Sequence, residues 1–366
     1  MAISACSFRR TMKSQSTRLP ERNLDVLRAL AVLCVLADHV IIAATAPGNV
    51  AWGWLGRAGV LIFFVHTALV LMGSLERSGD TRDGWPVRFY VRRAFRIYPL
   101  SIAAIVFVLA LRIPAHTPHV GLVARFFPPD SLTLSSNLLL AQNLVSARDI
   151  IGVLWTLPIE VQMYLTLPFC FVVARRSVPG VAWLIVSGAI AAIAWEAHVN
   201  VPGLWRLTML LFVPCFLGGV LAYALLRHRI TPQIPGALWF LLVALLLGGF
   251  FAARAHYESP LPQWAFCLAL GVMIPFGREI APSLFSSAAH VIAKYSYGIY
   301  LLHLPMLWIA LVAFRAAPVA LQWVVFAVLM VAAPWLAFHL IEKPGIRLGQ
   351  RLVQQPMPAA TPVGAP

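Results

Sequence analysis

Ten apolar stretches, each close to the length of a bilayer crossing, follow one another along this chain. They cover residues 24–44, 56–75, 97–113, 153–174, 180–197, 204–226, 236–253, 259–277, 290–314 and 318–341, and a crossing takes about 17 to 25 mostly apolar residues. Lipid gives the backbone no hydrogen-bond partner, so stretches of this kind fold as helices. With 60% hydrophobic residues, 11% charged residues and a mean hydropathy of +0.82, the chain lies outside the range of soluble domains. The expected fold class is all-α, a polytopic membrane helix bundle of about ten transmembrane helices with both termini cytoplasmic.

The orientation follows from the basic residues. Alternating the loops between two sides puts twenty Lys and Arg on the side of the N-terminus and seven on the other, the bias that marks a cytoplasmic face. The same dispersal explains the net charge of +15 without nucleic acid, because the cations sit in short clusters between apolar runs. The stretch Ser131–Val145, SLTLSSNLLLAQNLV, is short and carries Asn137, Gln142 and Asn143, which suits a re-entrant or interfacial segment. Counting it as a crossing would turn the later basic loops outward.

Residues 1–23 hold Arg9, Arg10, Lys13, Arg18 and Arg22 without an apolar core, so a basic cytoplasmic tail is expected rather than a signal peptide. The membrane domain is expected over 24–349. Residues 350–366 end in a Pro/Ala-rich run expected to be disordered, with no extracytoplasmic domain after the last span. The five cysteines, Cys6, Cys34, Cys170, Cys215 and Cys267, show no metal, haem or dithiol spacing. Neither a metal nor a disulfide is expected.

Polar residues inside the spans carry the functional signal, because each ionisable group at the centre of a bilayer costs about 2.5–3.5 kcal/mol on insertion scales. The first span contains Asp25, Arg28, Asp38 and His39. Arg28 and His39 lie eleven positions apart, roughly 16 Å along a helix. His39 reads either as a hydrogen-bonding link between helices or as a general base, since imidazole titrates near neutrality. Glu160, in LWTLPIEVQMYLTLP, falls at a depth matching His39 and is the candidate partner. Its bland alternative is a buried carboxylate held by backbone or tyrosine. His66 and His303 lie near the middle of their spans and, with Asp38, Tyr164 and Tyr300, are candidate substrate-binding residues.

Between the second and third spans, RFYVRRAFRIYP places Arg88, Arg92, Arg93 and Arg96 in nine residues. Such a cluster is either a topology signal in contact with anionic lipid or a phosphate cradle, because guanidinium forks bind phosphate oxygens bidentately. Arg28, low in the first span, can join it or pair locally with Asp25. A phosphate site inside and an acid–base pair nearer the outside suit a long cytoplasmic donor such as a coenzyme A thioester.

These residues resemble the acyltransferase family 3 of integral-membrane O-acyltransferases over nearly all of residues 24–349. The resemblance rests on Arg28 with His39, on Arg93-Ala94-Phe95-Arg96, on Trp155-Thr156-Leu157-Pro158-Ile159-Glu160 continuing to Gln162 and Tyr164, on Tyr295-Ser296-Tyr297-Gly298-Ile299-Tyr300-Leu301-Leu302-His303-Leu304-Pro305, and on Glu342-Lys343-Pro344. Departures are Phe63-Phe64-Val65-His66-Thr67-Ala68 in place of a phenylalanine-rich run ending in Leu-Ser-Gly, Leu61 in place of an acid, and Val161 in place of a second carboxylate. The resemblance implies transfer of an acyl group, often acetyl, from acyl-CoA to a hydroxyl of a sugar or other glycan-like acceptor.

In that reading Arg28, Arg92, Arg93 and Arg96 bind the phosphates of the donor, His39 deprotonates the acceptor, and Glu160 orients it or supplies a proton. No tightly bound cofactor is implied; the partners are acyl-CoA, the acceptor and membrane lipid, with no nucleic acid. The expected location is the bacterial inner (plasma) membrane. Two other classes use the same residues: a transporter or flippase of a glycan-related solute, and a binding or scaffold subunit without catalysis. Internal repeats with helices broken at matching positions point to transporters, and the sequence has neither.

Overall fold

The computed structural model describes residues 19–45, 53–78, 85–115, 126–228, 233–254 and 259–354. The expected basic tail therefore lies almost wholly outside the described residues, and so does most of the Pro/Ala-rich tail. Among the described residues the regular structure is helical, and the one pairing of extended chain is an isolated bridge between Ile234 and Gly277. Nine of the described helices are long and apolar enough to cross a membrane, and a tenth apolar helix, Leu261–Phe276, is shorter. Each of the ten apolar stretches thus has its helix.

We number the helices α1 Glu21–Ala44, α2 Gly53–Ser78, α3 Trp85–Ala110, α4 Ser131–Leu138, α5 Gln142–Val145, α6 Thr156–Arg176, α7 Val178–Ala197, α8 Val213–Arg227, α9 Gly236–Arg254, α10 Leu261–Met273, α11 Leu284–Trp308, α12 Val319–Ala337 and α13 Lys343–Gln354. Ser131–Val145 breaks into the short helices α4 and α5, as expected of a segment that does not cross. The arginine cluster differs from the expectation. It lies in the first turns of α3, because RFYVRRAFRI contains no glycine or other helix breaker and Arg is a good helix former. Pi-helical turns at Ile309–Ala313 and Phe338–Glu342 each begin four residues after an in-helix proline, Pro305 and Pro334, where the regular ladder has lost a donor.

The chain divides into two compact units. The first takes the described residues within 19–35, 54–78 and 159–293. Its centre is a set of backbone-to-backbone approaches without side chains between them. A Cβ on Gly271 of α10 would meet the Gly218 carbonyl of α8 at 2.1 Å, and one on Gly219 would meet the Val65 carbonyl of α2 at 2.1 Å. Lipid supplies no hydrophobic drive between helices, so close packing through small residues has to hold such a bundle. At one end of α1, the fully buried Asn23 holds the chain after α10. Its amide donates to the carbonyls of Gly277 and Arg278, and its oxygen accepts from the Ile280 amide at 3.1 Å.

The second unit takes the described residues within 36–53, 85–158 and 294–354. Here α3 packs on α13. A Cβ on Gly345 would meet the Phe95 carbonyl at 2.8 Å, and one on Gly349 would meet the Phe95 side chain at 2.7 Å. The two glycines stand four apart on one face of α13 and leave a groove that the Phe95 turn of α3 fills. Gly298 of α11 lies against Pro334 of α12, so the glycine of the Tyr-Gly-Ile-Tyr stretch is a packing residue.

Candidate active site

His39, from the second half of α1, and His303, from α11, meet inside the second unit. Their ring centroids are 4.9 Å apart at 62°, and His303 Nε2 lies 3.3 Å from His39 Nδ1. His303 is 1% exposed, and its other nitrogen faces two carbonyls: Nδ1 is 2.7 Å from the Tyr300 oxygen and 3.1 Å from the Ile299 oxygen. A carbonyl only accepts, so Nδ1 of His303 carries the proton. Its Nε2 is then the acceptor, and His39 Nδ1–H donates to it. The lone pair of His39 then lies on Nε2.

The turn before α6 braces this pair. The Tyr300 hydroxyl donates to the Val153 carbonyl at 2.9 Å and lies 2.8 Å from the buried Thr156 hydroxyl. Tyr300, expected to bind substrate, thus ties α11 to this turn one helical turn before His303. Tyr297 does the same toward α3, donating to the Ile97 carbonyl at 2.8 Å. Asp38, beside His39 on α1, is buried at 3% exposure.

The first unit holds the remaining acid–base candidates. The Tyr164 hydroxyl donates to Glu160 Oε1, one turn along α6, so this expected site residue is a partner of the expected carboxylate. His66 is 4% exposed, and its Nδ1 has no hydrogen-bond partner among the described residues. Asp25, the suggested local partner of Arg28, instead places Oδ2 2.7 Å from His290 Nδ1.

The arginine cluster of α3 separates into two kinds of residue. Arg96 forms an ion pair at 2.5 Å with Glu342, whose side chain is fully buried. That carboxylate opens the Glu-Lys-Pro ending, so two motifs far apart in sequence are halves of one contact. Arg92 donates from Nε to the Arg88 carbonyl at 3.2 Å, which leaves its terminal nitrogens outside that bond. Arg93 is partly buried beside them.

Sequence reasoning missed His303 as the neighbour of His39, Glu342 as the neighbour of Arg96, and Val153 and Thr156 as the brace of Tyr300. For Glu342 a signal existed, since an acid at the end of the last apolar run calls for a cation. For Val153, a backbone carbonyl acceptor, the sequence carries no signal.

Comparison with known proteins places the chain in a family. A family model described as an acyltransferase domain matches residues 21–339. Nodulation protein 10 of Rhizobium leguminosarum bv. viciae is 27% identical, with 92% of this chain and 96% of the relative covered. No solved structure matches the chain. The matched region contains both histidines and the arginines of α3, and it sets the class as an enzyme rather than a transporter or scaffold. The chain belongs to this acyltransferase family and is a multi-pass membrane acyltransferase.

Proposed function

We propose that the protein moves an acyl group, acetyl in the simplest case, from cytoplasmic acyl-CoA to a hydroxyl of a sugar or glycan-like acceptor, in the bacterial inner membrane. The observation that carries this reading is the oriented histidine pair. With Nδ1–H of His39 committed to His303, Nε2 takes the acceptor proton as the oxygen attacks the thioester carbonyl. The imidazolium so formed keeps its hydrogen bond to His303, now charge-assisted and stronger. As the tetrahedral centre collapses, the C–S bond breaks and the thiolate leaves with the proton from His39. His303 thus does for His39 what a carboxylate does in a Ser-His-Asp triad.

Arg28, Arg92 and Arg93 are assigned to the donor phosphates, and Glu342 holds Arg96 on the same helix as the last two. Glu160, with its Tyr164 partner, and Asp38 are assigned to the acceptor. The unpartnered Nδ1 of His66 is a buried polar atom that a bound substrate would satisfy. No tightly bound cofactor enters the scheme. Holding both substrates on the protein at once supplies rate through proximity.

The test is transfer from radiolabelled acetyl-CoA by purified protein. A positioned base contributes about 10²–10⁴-fold, so His39→Ala is expected to lose at least a hundredfold in kcat while still binding the donor. Full transfer by that variant would remove His39 as the base.

A further inference from the structure

A cavity of about 360 Å³ opens in the second unit at the end of α3 away from the arginines, lined in part by Phe126, Phe127, Pro129, Arg148, Asp149 and Ile150. Its size falls within the usual range of ligand pockets, about 300–1,000 Å³. The charge bias assigns this end to the outer face.

One wall of the cavity is built rigidly. Asn137, fully buried, donates to the Arg148 carbonyl at 2.9 Å and accepts from the Ile150 amide at 3.0 Å, so it brackets Asp149. Gln142, 2% exposed, donates to Asp149 Oδ1 at 2.9 Å. Arg148 Nη2 donates to the carbonyls of Phe127 and Pro128 at 3.1 and 3.0 Å, and its guanidinium lies 5.7 Å from the Phe127 ring. Gly152 ties this wall to the end of α3 by donating to the Ala115 carbonyl at 2.9 Å.

The backbone around the cavity is also strained. Among the described residues, the non-glycine positions with left-handed φ are Arg112 at 53°, Leu140 at 52° and Ser146 at 61°, and all three belong to the segments that form or brace this pocket. Such conformations cost about 1–3 kcal/mol each and persist where a fixed geometry is needed. Aromatic residues at a membrane interface need no such support, so anchoring alone does not account for the wall.

We propose that this cavity holds a remote sugar ring of an oligomeric acceptor whose reacting hydroxyl is delivered to His39. The chemistry fits a ring-shaped polyol. The electron-rich faces of Phe126 and Phe127 suit the slightly positive C–H face of such a ring, while a carboxylate and a guanidinium lining the same cavity suit hydroxyls as acceptor and donor. A lipid tail would use neither charge.

The path to His39 runs within one unit. Three residues of chain, about 10 Å at most, lead from Ile150 to Val153, whose carbonyl holds Tyr300. The Tyr300 ring is 6.2 Å from that of His303, which is 4.9 Å from that of His39. An acceptor of more than one ring can fill the cavity and carry its reacting hydroxyl along this path to His39. Binding energy gathered there fixes the reacting hydroxyl, the use enzymes make of remote contacts.

The proposal rests on the acyl-transfer reading above, and the test keeps the two apart. Full-length protein in detergent is assayed with radiolabelled acetyl-CoA on an array of mono- to pentasaccharides of the common hexoses and N-acetylhexosamines. Wild type is expected to show a KM at least tenfold lower for chains of three or more units than for the matching monosaccharide. Phe127→Ala, at a side chain 63% exposed, and Arg148→Gln are each expected to erase that preference, with thermal unfolding checked for both. Transfer without length preference, or a preference that both variants keep, overturns the cavity assignment alone. Transfer to no member of the array overturns the assignment together with the glycan reading.

Discussion

Which nitrogen of His39 carries the proton is decided by His303 and, behind it, by two backbone carbonyls of α11. This gives the second histidine a task that can be separated from packing. A glutamine in its place would present an amide oxygen to His39 Nδ1–H, whereas a phenylalanine fills the ring space and accepts nothing. We expect His303→Phe to lower kcat by roughly 10²–10³-fold with the KM for acyl-CoA little changed, since the wrong tautomer costs a triad enzyme about 10⁴. His303→Gln is expected to recover to within about tenfold of wild type, as outer hydrogen bonds to a functional histidine are typically worth 10–100-fold. Steady-state kinetics of both variants decide it, because a space-filling role would rank phenylalanine above glutamine. His39 stood out in the sequence as an ionisable residue in an apolar helix. Its neighbour lies 264 positions away, and no local pattern encodes a pairing of that range. The Tyr164–Glu160 bond is the opposite case, one helical turn in length and visible from spacing alone.

At the level of helices, the α3–α13 contact changes what the arginine cluster means. Arg96 resembles a phosphate ligand in sequence, yet it sits 2.5 Å from a carboxylate with no exposed side-chain surface. Removing one member of a buried ion pair strands the other, at a cost of about 3–5 kcal/mol. Arg96→Ala is therefore expected to lower the unfolding temperature in detergent well below that of Arg88→Ala, whose backbone carbonyl is what Arg92 uses. Adding Glu342→Gln to Arg96→Ala is expected to restore much of the loss, because the stranded charge is then gone. Equal unfolding temperatures for the two single variants would return Arg96 to the donor site alone. The α13 side of this contact was readable as Gly345 and Gly349 four apart, but the sequence did not name the helix they receive. Apolar runs mark most helix limits closely, but α11 begins at Leu284, ahead of the run that starts at residue 290. At α3 the helix starts at Trp85 and continues through arginines that hydropathy alone assigns to a loop.

For the whole chain, the sidedness turns on α10. Its helix and the following 3-10 turn, Leu261–Phe276, span about 25 Å at the usual rises, short of a hydrocarbon core of about 30 Å. If it crosses, the number of crossings among the described residues is even and Glu21 and Gln354 lie on one side, the side rich in Lys and Arg. If it does not, the crossings from α3 to α12 are odd in number, against the Arg96–Glu342 contact that joins the arginine end of α3 to the start of α13, and Lys343, Arg347 and Arg351 face outward against the charge bias. A short span is accommodated by local thinning of the bilayer at a fraction of a kcal/mol per Å, whereas inverting the basic end opposes the dominant orienting signal, so crossing is the expected outcome. Cysteine accessibility tests it. Cys34, Cys170, Cys215 and Cys267 are buried; with Cys6 replaced by serine, single cysteines are placed at Ser146 and Gln350, both exposed. Ser146→Cys is expected to react with a membrane-impermeant maleimide on intact cells, and Gln350→Cys only after permeabilisation. Reaction of Gln350→Cys on intact cells would place α13 outside, and with it the Glu342–Arg96 contact and the arginines of α3. The donor site would then have to be sought elsewhere.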